Sequence, residues 1–123
     1  MKKIFMAIMV TALMSSPVFA ASYDIKAECS VASGTGSFIY YDNNSNYHTI
    51  SVVTRYFYKD AWGVVRNNSS SNLTNENNTW VKATVGPKSN DSFSMSFVTE
   101  VMGYVDNNCV ATKNKYNPLA VIN

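Results

Sequence analysis

Apolar and polar residues alternate along much of this chain with a period of two, which is the spacing of a half-buried β-strand. The clearest run spans residues 91–106, DSFSMSFVTEVMGYVD, in which the odd positions carry Phe, Met, Thr, Val and Gly while the first even positions are all serine. We interpret this run as the central strand of the domain, with its odd positions in the core. From Val98 onwards the even positions also become larger, which predicts that this half of the strand is covered on both sides.

A long second strand is predicted over residues 47–59, where the even positions, with their Ile, Val and Tyr residues, form the better core face. Shorter alternating runs predict strands at 23–32, 37–41, 64–66, 79–85 and 109–112. No segment beyond residue 20 repeats with the period of 3.6 that an amphipathic helix requires.

Clusters of Gly, Asn, Asp and Ser separate these runs and predict the turns. The predicted turns and short loops are 33–36, 42–46, 59–63, 86–90 and 106–108. The turn at 59–63 reads as a tight hairpin in which Gly63 takes a positive φ. The polar stretch 67–78, NNSSSNLTNENN, contains a single apolar residue and is predicted to be a long exposed loop.

About seven short strands joined by turns predict an all-β domain. We expect a small antiparallel β-sandwich of immunoglobulin-like size, with a small β-barrel as the alternative. Residues 21–112 would form this domain. Residues 113–123 would form a C-terminal tail or an edge strand, since positions 119–122 are apolar.

The first twenty residues have the composition of a secretory signal peptide. Lys2 and Lys3 form a positive start, residues 4–13 are apolar, and Val18 and Ala20 stand at the −3 and −1 positions of a cleavage site. The apolar run is too short to span a bilayer comfortably, so we expect no stable membrane insertion after cleavage. These features predict a bacterial protein that is periplasmic or secreted.

The exported part holds two cysteines, Cys29 and Cys109. An even number of cysteines in an exported chain favours a disulfide. We therefore expect one bond between Cys29 and Cys109, which would tie the first strand to the last and stabilise the fold by about 4–5 kcal/mol.

The charge of the exported part is balanced. Ten basic and eight acidic residues give the whole chain a net charge of +2, and removal of Lys2 and Lys3 leaves eight of each. Nucleic-acid binding normally requires a basic patch, so we expect no nucleic-acid partner. Strong attraction to anionic membranes is not expected either.

Candidate catalytic groups are sparse. The single histidine, His48, stands at the start of a strand, and no Gly-x-Ser-x-Gly motif accompanies it. Glu100 is expected on the solvent side of the central strand, paired with Arg55 or Lys82. One such carboxylate is a weak basis for glycoside hydrolysis, and one His with two Cys makes no recognisable metal spacing. We therefore predict a protein that is not an enzyme and holds no metal or other cofactor.

Aromatic residues are concentrated between positions 40 and 62, where seven of them occur. Neighbouring positions of a strand face opposite sides, so at most one side of this hairpin can be core. Tyr and Trp are favoured at recognition surfaces, because they bring a large contact area with few rotatable bonds. We predict the binding site on this hairpin, at Arg55, Tyr56, Tyr58 and Trp62.

The expected function is that of an exported binding module that recognises a protein or carbohydrate partner through the aromatic hairpin, as an inhibitor or an adhesin does. The alternative is a structural subunit of a bacterial surface or secretion assembly, whose apolar segment 119–122 adds to the sheet edge of a neighbour. The positions of the aromatic rings bear directly on the first hypothesis, because buried rings would belong to the core.

Overall fold

The computed structural model describes residues 22–44, 46–60, 62–88 and 95–117, and the side chains of all of these except 95–97. These residues form strands and no helix, so they include no helix that could cross a membrane. The strands are β1 (Ser22–Cys29), β2 (Gly34–Tyr41), β3 (Ile50–Lys59), β4 (Val65–Thr74), β5 (Val81–Val85), β6 (Met95–Val105) and β7 (Asn108–Tyr116). The predicted signal peptide at 1–20 and the apolar segment 119–122 lie outside the described residues.

The seven strands form two antiparallel sheets, one with the order β1-β2-β5 and the other with the order β4-β3-β6-β7. The sheets face each other, because the backbone of β2 lies against side chains of β3 and β6. In the described residues, this arrangement agrees with the predicted small β-sandwich and not with the barrel alternative. β6 lies inside the larger sheet, between β3 and β7, as predicted for the central strand.

The core lies between the sheets and is built from alternate positions of the strands. The even face of β3 is fully buried, as predicted, and consists of Ile50, Val52, Thr54, Tyr56 and Tyr58. β6 adds Val101 and Val105, while β2 adds Phe38. Burial of one apolar side chain of this size stabilises the fold by about 1.5–3 kcal/mol. On the opposite face of β6, the even-numbered positions from 98 to 104 are partly buried.

The predicted turn at 33–36 is wrong, because β2 already begins at Gly34. The turn is formed by residues 30–33, where the Ser30 N–H donates to the Ser33 carbonyl. Gly34 and Gly36 face the core, and a Cβ on Gly36 would lie 2.3 Å from Thr54 Oγ1. These glycines therefore let β2 approach the other sheet closely, a role that the sequence alone does not distinguish from a turn.

The polar stretch 67–78 is not the predicted loop, because residues up to Thr74 belong to β4. This strand pairs with β3 over all ten of its residues, at the edge of the larger sheet. The amide of Asn68 donates to the Gly86 carbonyl, and that of Asn72 to the Lys82 carbonyl, so β4 also bonds to the edge of the other sheet. An edge strand that buries neither face needs no apolar alternation, and hydrophobic periodicity therefore cannot detect it.

Two of the predicted turns are confirmed by backbone conformation. Gly63 has a φ of 79° in the β3–β4 turn. Asp106 and Asn107 have φ values of 52° and 69°, as the two central residues of a type I′ hairpin require. β7 then continues to Tyr116, four residues beyond the predicted end of the last strand.

Cys29 and Cys109 are free thiols, so the predicted disulfide is wrong. Cys29 ends β1 opposite Gly34, whose backbone packs against Thr99 of β6. Cys109 pairs with Tyr104, which lies further along β6 by about 17 Å at the usual rise of a strand. A disulfide needs Cα atoms about 4.4–6.8 Å apart. An even cysteine count says nothing about which strand ends meet in space, and here the two cysteines lie towards opposite ends of the sandwich.

Candidate functional site

The four residues predicted as a binding site do not form one surface. Tyr56 and Tyr58 point into the core and have no exposed area. Arg55 lies on the outer face of the same strand, because successive side chains alternate, and Trp62 stands in the turn that follows. Of the four residues, the structure thus brings only Tyr56 and Tyr58 together. Trp62 is the one aromatic residue among them whose ring is exposed.

The two buried tyrosines have a structural role. Their rings stack with centroids 5.8 Å apart and an interplanar angle of 27°. The Tyr56 hydroxyl lies 2.9 Å from the Ser30 carbonyl and 3.0 Å from the Val31 carbonyl, so it donates to the backbone of the β1–β2 turn. Buried rings with a satisfied hydroxyl are core anchors, and they offer no surface to a partner.

Arg55 forms an ion pair on the outer face of the larger sheet. Its Nη1 lies 3.4 Å from Oε1 of Glu100, the residue directly opposite on β6. This pairing is one of the two predicted for Glu100. Both side chains are partly exposed, so the pair contributes at most about 1 kcal/mol to stability.

One buried carboxylate fixes the β3–β4 turn. Asp60 Oδ1 accepts hydrogen bonds from the backbone N–H groups of Trp62 and Val64, both at 2.9 Å, and Oδ2 accepts one from Arg66 Nε. The Gly63 N–H donates to the Asp60 carbonyl, which closes the turn. The hydrogen bond from Arg66, helped by the two backbone N–H groups, lowers the pKa of Asp60 and keeps it ionised at neutral pH.

This turn presents three apolar side chains to solvent within four positions. Trp62 is 78% exposed, Val65 61% and Val64 48%. In the described residues, no atom beyond the two chain neighbours would lie within 4 Å of a Cβ on Gly63, so the turn projects away from the sandwich. Single exposed apolar residues are ordinary, but a group of them on a rigid turn is a candidate contact surface. We refer to residues 60 and 62–65 as the Trp62 turn.

The structure also contains a second polar cluster, centred on His48, which the sequence does not predict. His48 Nδ1 lies 2.7 Å from Asp106 Oδ2, and its Nε2 lies 2.9 Å from Asp42 Oδ2. The hydrogen bond with Asp106 is the largest cause of the raised pKa of His48 and of the lowered pKa of Asp106. A carboxylate at each ring nitrogen favours the imidazolium form, in which both nitrogens donate. Asp106 is 58 positions away in sequence, and no local signal predicts the contact.

This cluster clamps the 42–48 loop to the β6–β7 hairpin. The buried Asp42 also accepts the backbone N–H of Asn44, which is the largest cause of its lowered pKa. Asp106 Oδ1 accepts the backbone N–H of Thr49 at 3.0 Å. Both ring nitrogens of His48 are engaged, so neither is available as a base or a metal ligand. In the part of the chain that the structure describes, no group of three or more His, Cys, Asp or Glu side chains could hold a metal ion.

No model of a known protein family matches this chain, and no curated protein matches it. Of the sites described above, the His48 cluster is a structural clamp, Arg55 is paired, and the two tyrosines are buried. Of the three aromatic residues predicted for the site, Trp62 is the exposed one.

Proposed function

We propose that this protein is an exported, non-enzymatic binding module and that the Trp62 turn contacts its partner. The observation that carries the proposal is the turn itself, where a largely exposed indole stands on a backbone held by Asp60 and Arg66. A rigid aromatic anchor loses little conformational entropy on binding, and Trp is enriched among the hot spots of protein interfaces. The predicted signal peptide at 1–20 supports export to the periplasm or beyond.

The chemistry of the Trp62 turn favours a protein over a glycan as its partner. The turn projects from the sandwich, and the exposed neighbours Val64 and Val65 offer no side-chain hydrogen bond to a sugar hydroxyl. A projecting indole flanked by valines fits an apolar pocket, whereas polar ligands require convergent polar groups. We therefore expect the partner to be a protein with a concave apolar pocket for Trp62, as in an inhibitor or adhesin complex.

Site-specific photocrosslinking tests this contact. A photoreactive phenylalanine analogue replaces Trp62 in the full chain, and in the control it replaces Tyr47, which is 74% exposed and precedes the opposite end of β3. Crosslinking in cell envelopes and in extracts of contacted cells should give a discrete protein adduct from position 62 alone. Equal adducts from both positions, or none from position 62, would contradict the proposal.

The partner identified in this way then allows an energetic test. Trp62→Ala should weaken binding by about 30-fold or more, the effect of losing a hot spot worth about 2 kcal/mol. Tyr47→Ala should leave the affinity unchanged. Both variants should unfold at the temperature of the wild type, because both side chains are exposed. Unchanged binding by Trp62→Ala would place the contact elsewhere.

The alternative function, a structural subunit of a bacterial surface or secretion assembly, requires a sheet edge that accepts another strand. β7 is an edge strand, but its exposed Lys113 and Lys115 lie opposite Val101 and Thr99, on the core-facing side of the sheet. Inward-facing lysines on an edge strand hinder pairing with another edge. We therefore rank this function second. An oligomer of the full chain that dissociates when the chain ends at Asn117, measured by sedimentation, would reverse the order.

A further inference from the structure

A shallow groove crosses the outer face of the smaller sheet, on the side away from the core. It encloses about 330 Å³, and its lining residues are Lys26, Glu28, Thr35, Ser37, Trp80 and Lys82. We refer to it as the Trp80 groove. We propose that the Trp80 groove binds an acidic saccharide, with a sugar ring against the indole of Trp80 and the sugar carboxylate between Lys26 and Lys82.

The strand register brings the two lysines to one place. Lys26 of β1, Ser37 of β2 and Lys82 of β5 stand side by side in one row across the sheet. Neighbouring strands are about 4.8 Å apart, so the two lysines start about 10 Å apart with a serine hydroxyl between them. Long side chains at this separation can converge on a single carboxylate. Glu28 and Thr35 occupy the next row of the same face.

Trp80 provides the aromatic surface of the groove. The residue is 39% exposed, and Lys26 Nζ lies 4.6 Å from the centroid of its ring, within the range of a cation–π contact. In this contact the ammonium group lies over a face of the ring on which a sugar could stack. The flexible Lys26 side chain can move to the rim of the ring, where it would bond the carboxylate while the sugar takes its place against the indole.

The charged groups of the groove have no ion-pair partner in the described residues. The ion pairs of the described residues are formed by other side chains, and none of them includes Lys26, Glu28 or Lys82. On the other sheet, by contrast, Arg55 and Glu100 neutralise each other. Unpaired ammonium groups beside an aromatic ring therefore offer charge complementarity to an anionic ligand.

The composition of the groove selects the class of anion. Two ammonium groups attract a carboxylate, while Glu28 repels a densely charged polyanion such as a nucleic acid or a sulfated chain. A uronic acid carries one carboxylate and several hydroxyls on a ring with an apolar face. Glu28, Thr35 and Ser37 can bond those hydroxyls, and the indole can cover the apolar face. An acidic peptide lacks this ring, and the face of the sheet offers it no free backbone edge.

Tryptophan fluorescence of the signal-free full chain with Trp62→Phe tests the proposal, because Trp80 is then the remaining one of two tryptophans. The probes are tetramers of glucuronate, galacturonate and mannuronate, a neutral glucose tetramer and a glutamate tetrapeptide. At least one uronate tetramer should change the emission saturably, with an affinity that falls as salt is added. It should bind roughly tenfold more tightly than the neutral tetramer or the peptide.

Matched variants locate the binding. Lys82→Gln should weaken it by roughly tenfold, and Trp80→Ala, followed by calorimetry, should abolish it. Lys115→Gln, at an exposed lysine of β7, should change nothing. The proposal is overturned if no uronate tetramer binds, if the neutral tetramer or the peptide binds as well, or if Trp80→Ala retains binding. The assay leaves Trp62 out, so its failure is distinguishable from a failure of the proposed function.

Discussion

Replacement of Gly36 with alanine tests how closely the two sheets pack. The new Cβ would lie 2.3 Å from Thr54 Oγ1, and 2.7 and 2.8 Å from the two methyl groups of Val101. Both neighbours are fully buried and β-branched, so neither can rotate away freely. Either the sheets move apart locally or a side chain leaves its preferred rotamer.

The expected loss of stability is about 2 kcal/mol. Overpacking in a core costs about 1–3 kcal/mol, and two stiff neighbours at these distances place the cost near the upper end. Alanine in a strand regains about 0.5–1 kcal/mol relative to glycine, because the unfolded chain has less entropy to lose. For a domain of this size each kcal/mol lowers Tm by about 4–8 °C, so Gly36→Ala should lower it by about 8–16 °C.

Thermal unfolding, followed by circular dichroism, measures this loss, and a second substitution tests its cause. Thr54 Oγ1 is buried and, within the described residues, has no hydrogen-bond partner. Thr54→Ala therefore makes room for the new methyl group without breaking a hydrogen bond. The double variant should be more stable, by about 1 kcal/mol, than the sum of the two single effects.

Gly63→Ala is the matched control for this experiment. Open space surrounds the position, but its φ of 79° makes alanine unfavourable by about 1–2 kcal/mol. That loss should simply add to the effect of Thr54→Ala, because the two sites share no contact. An unchanged Tm for Gly36→Ala, or additivity with Thr54→Ala, would refute the close packing of the sheets.

Two further predictions concern the His48 cluster and the two cysteines. The pKa of His48 is raised in the folded state, so its contribution to stability is complete below the ordinary value of 6.5 and is lost as the pH rises through the folded value. The pKa values of Asp42 and Asp106 are lowered, so these two residues add stability above pH 3.8 that is lost as the pH falls through their folded values. The Tm difference between wild type and His48→Gln should therefore shrink as the pH is raised above 6.5, and a constant difference would contradict the clamp. A thiol reagent should detect both cysteines, with the exposed Cys109 reacting before the half-buried Cys29. A purified protein that reacts only after reduction would instead show that the two cysteines are joined by a disulfide.

Much of the fold could be predicted from the sequence, because the strands that build the core bury one face. The alternation in β3 predicted correctly that Ile50 and Val52 face inward, and the turn at Gly63 followed from its residue types. β4 could not be predicted in this way, since its stability derives from pairing with β3 and from side-chain hydrogen bonds to β5 and to Gly86, the residue after β5. The glycines of β2 were misassigned because a tight turn and a close sheet contact both require the absence of a side chain.

The candidate site was predicted in part. Aromatic density pointed to the hairpin that ends at Trp62, but it also assigned to the site Tyr56 and Tyr58, which share the even face of β3 that the alternation favours as core. The packing of Tyr56 and Tyr58 in the core leaves Trp62 as the exposed ring among the three aromatic residues of the predicted site. Trp80, on the outer face of the smaller sheet, gains its significance from the two lysines that the register brings beside it.

The sequence by itself determined the strand faces and most of the turns, because alternation and backbone preference are local properties that a few residues express. The tertiary structure decided which strand ends and which strand edges are neighbours. That is why Cys29 and Cys109 lie apart, and why His48 meets Asp42 and Asp106. These contacts join segments far apart in sequence, and they exist only because the burial of one face of each strand stacks the two sheets.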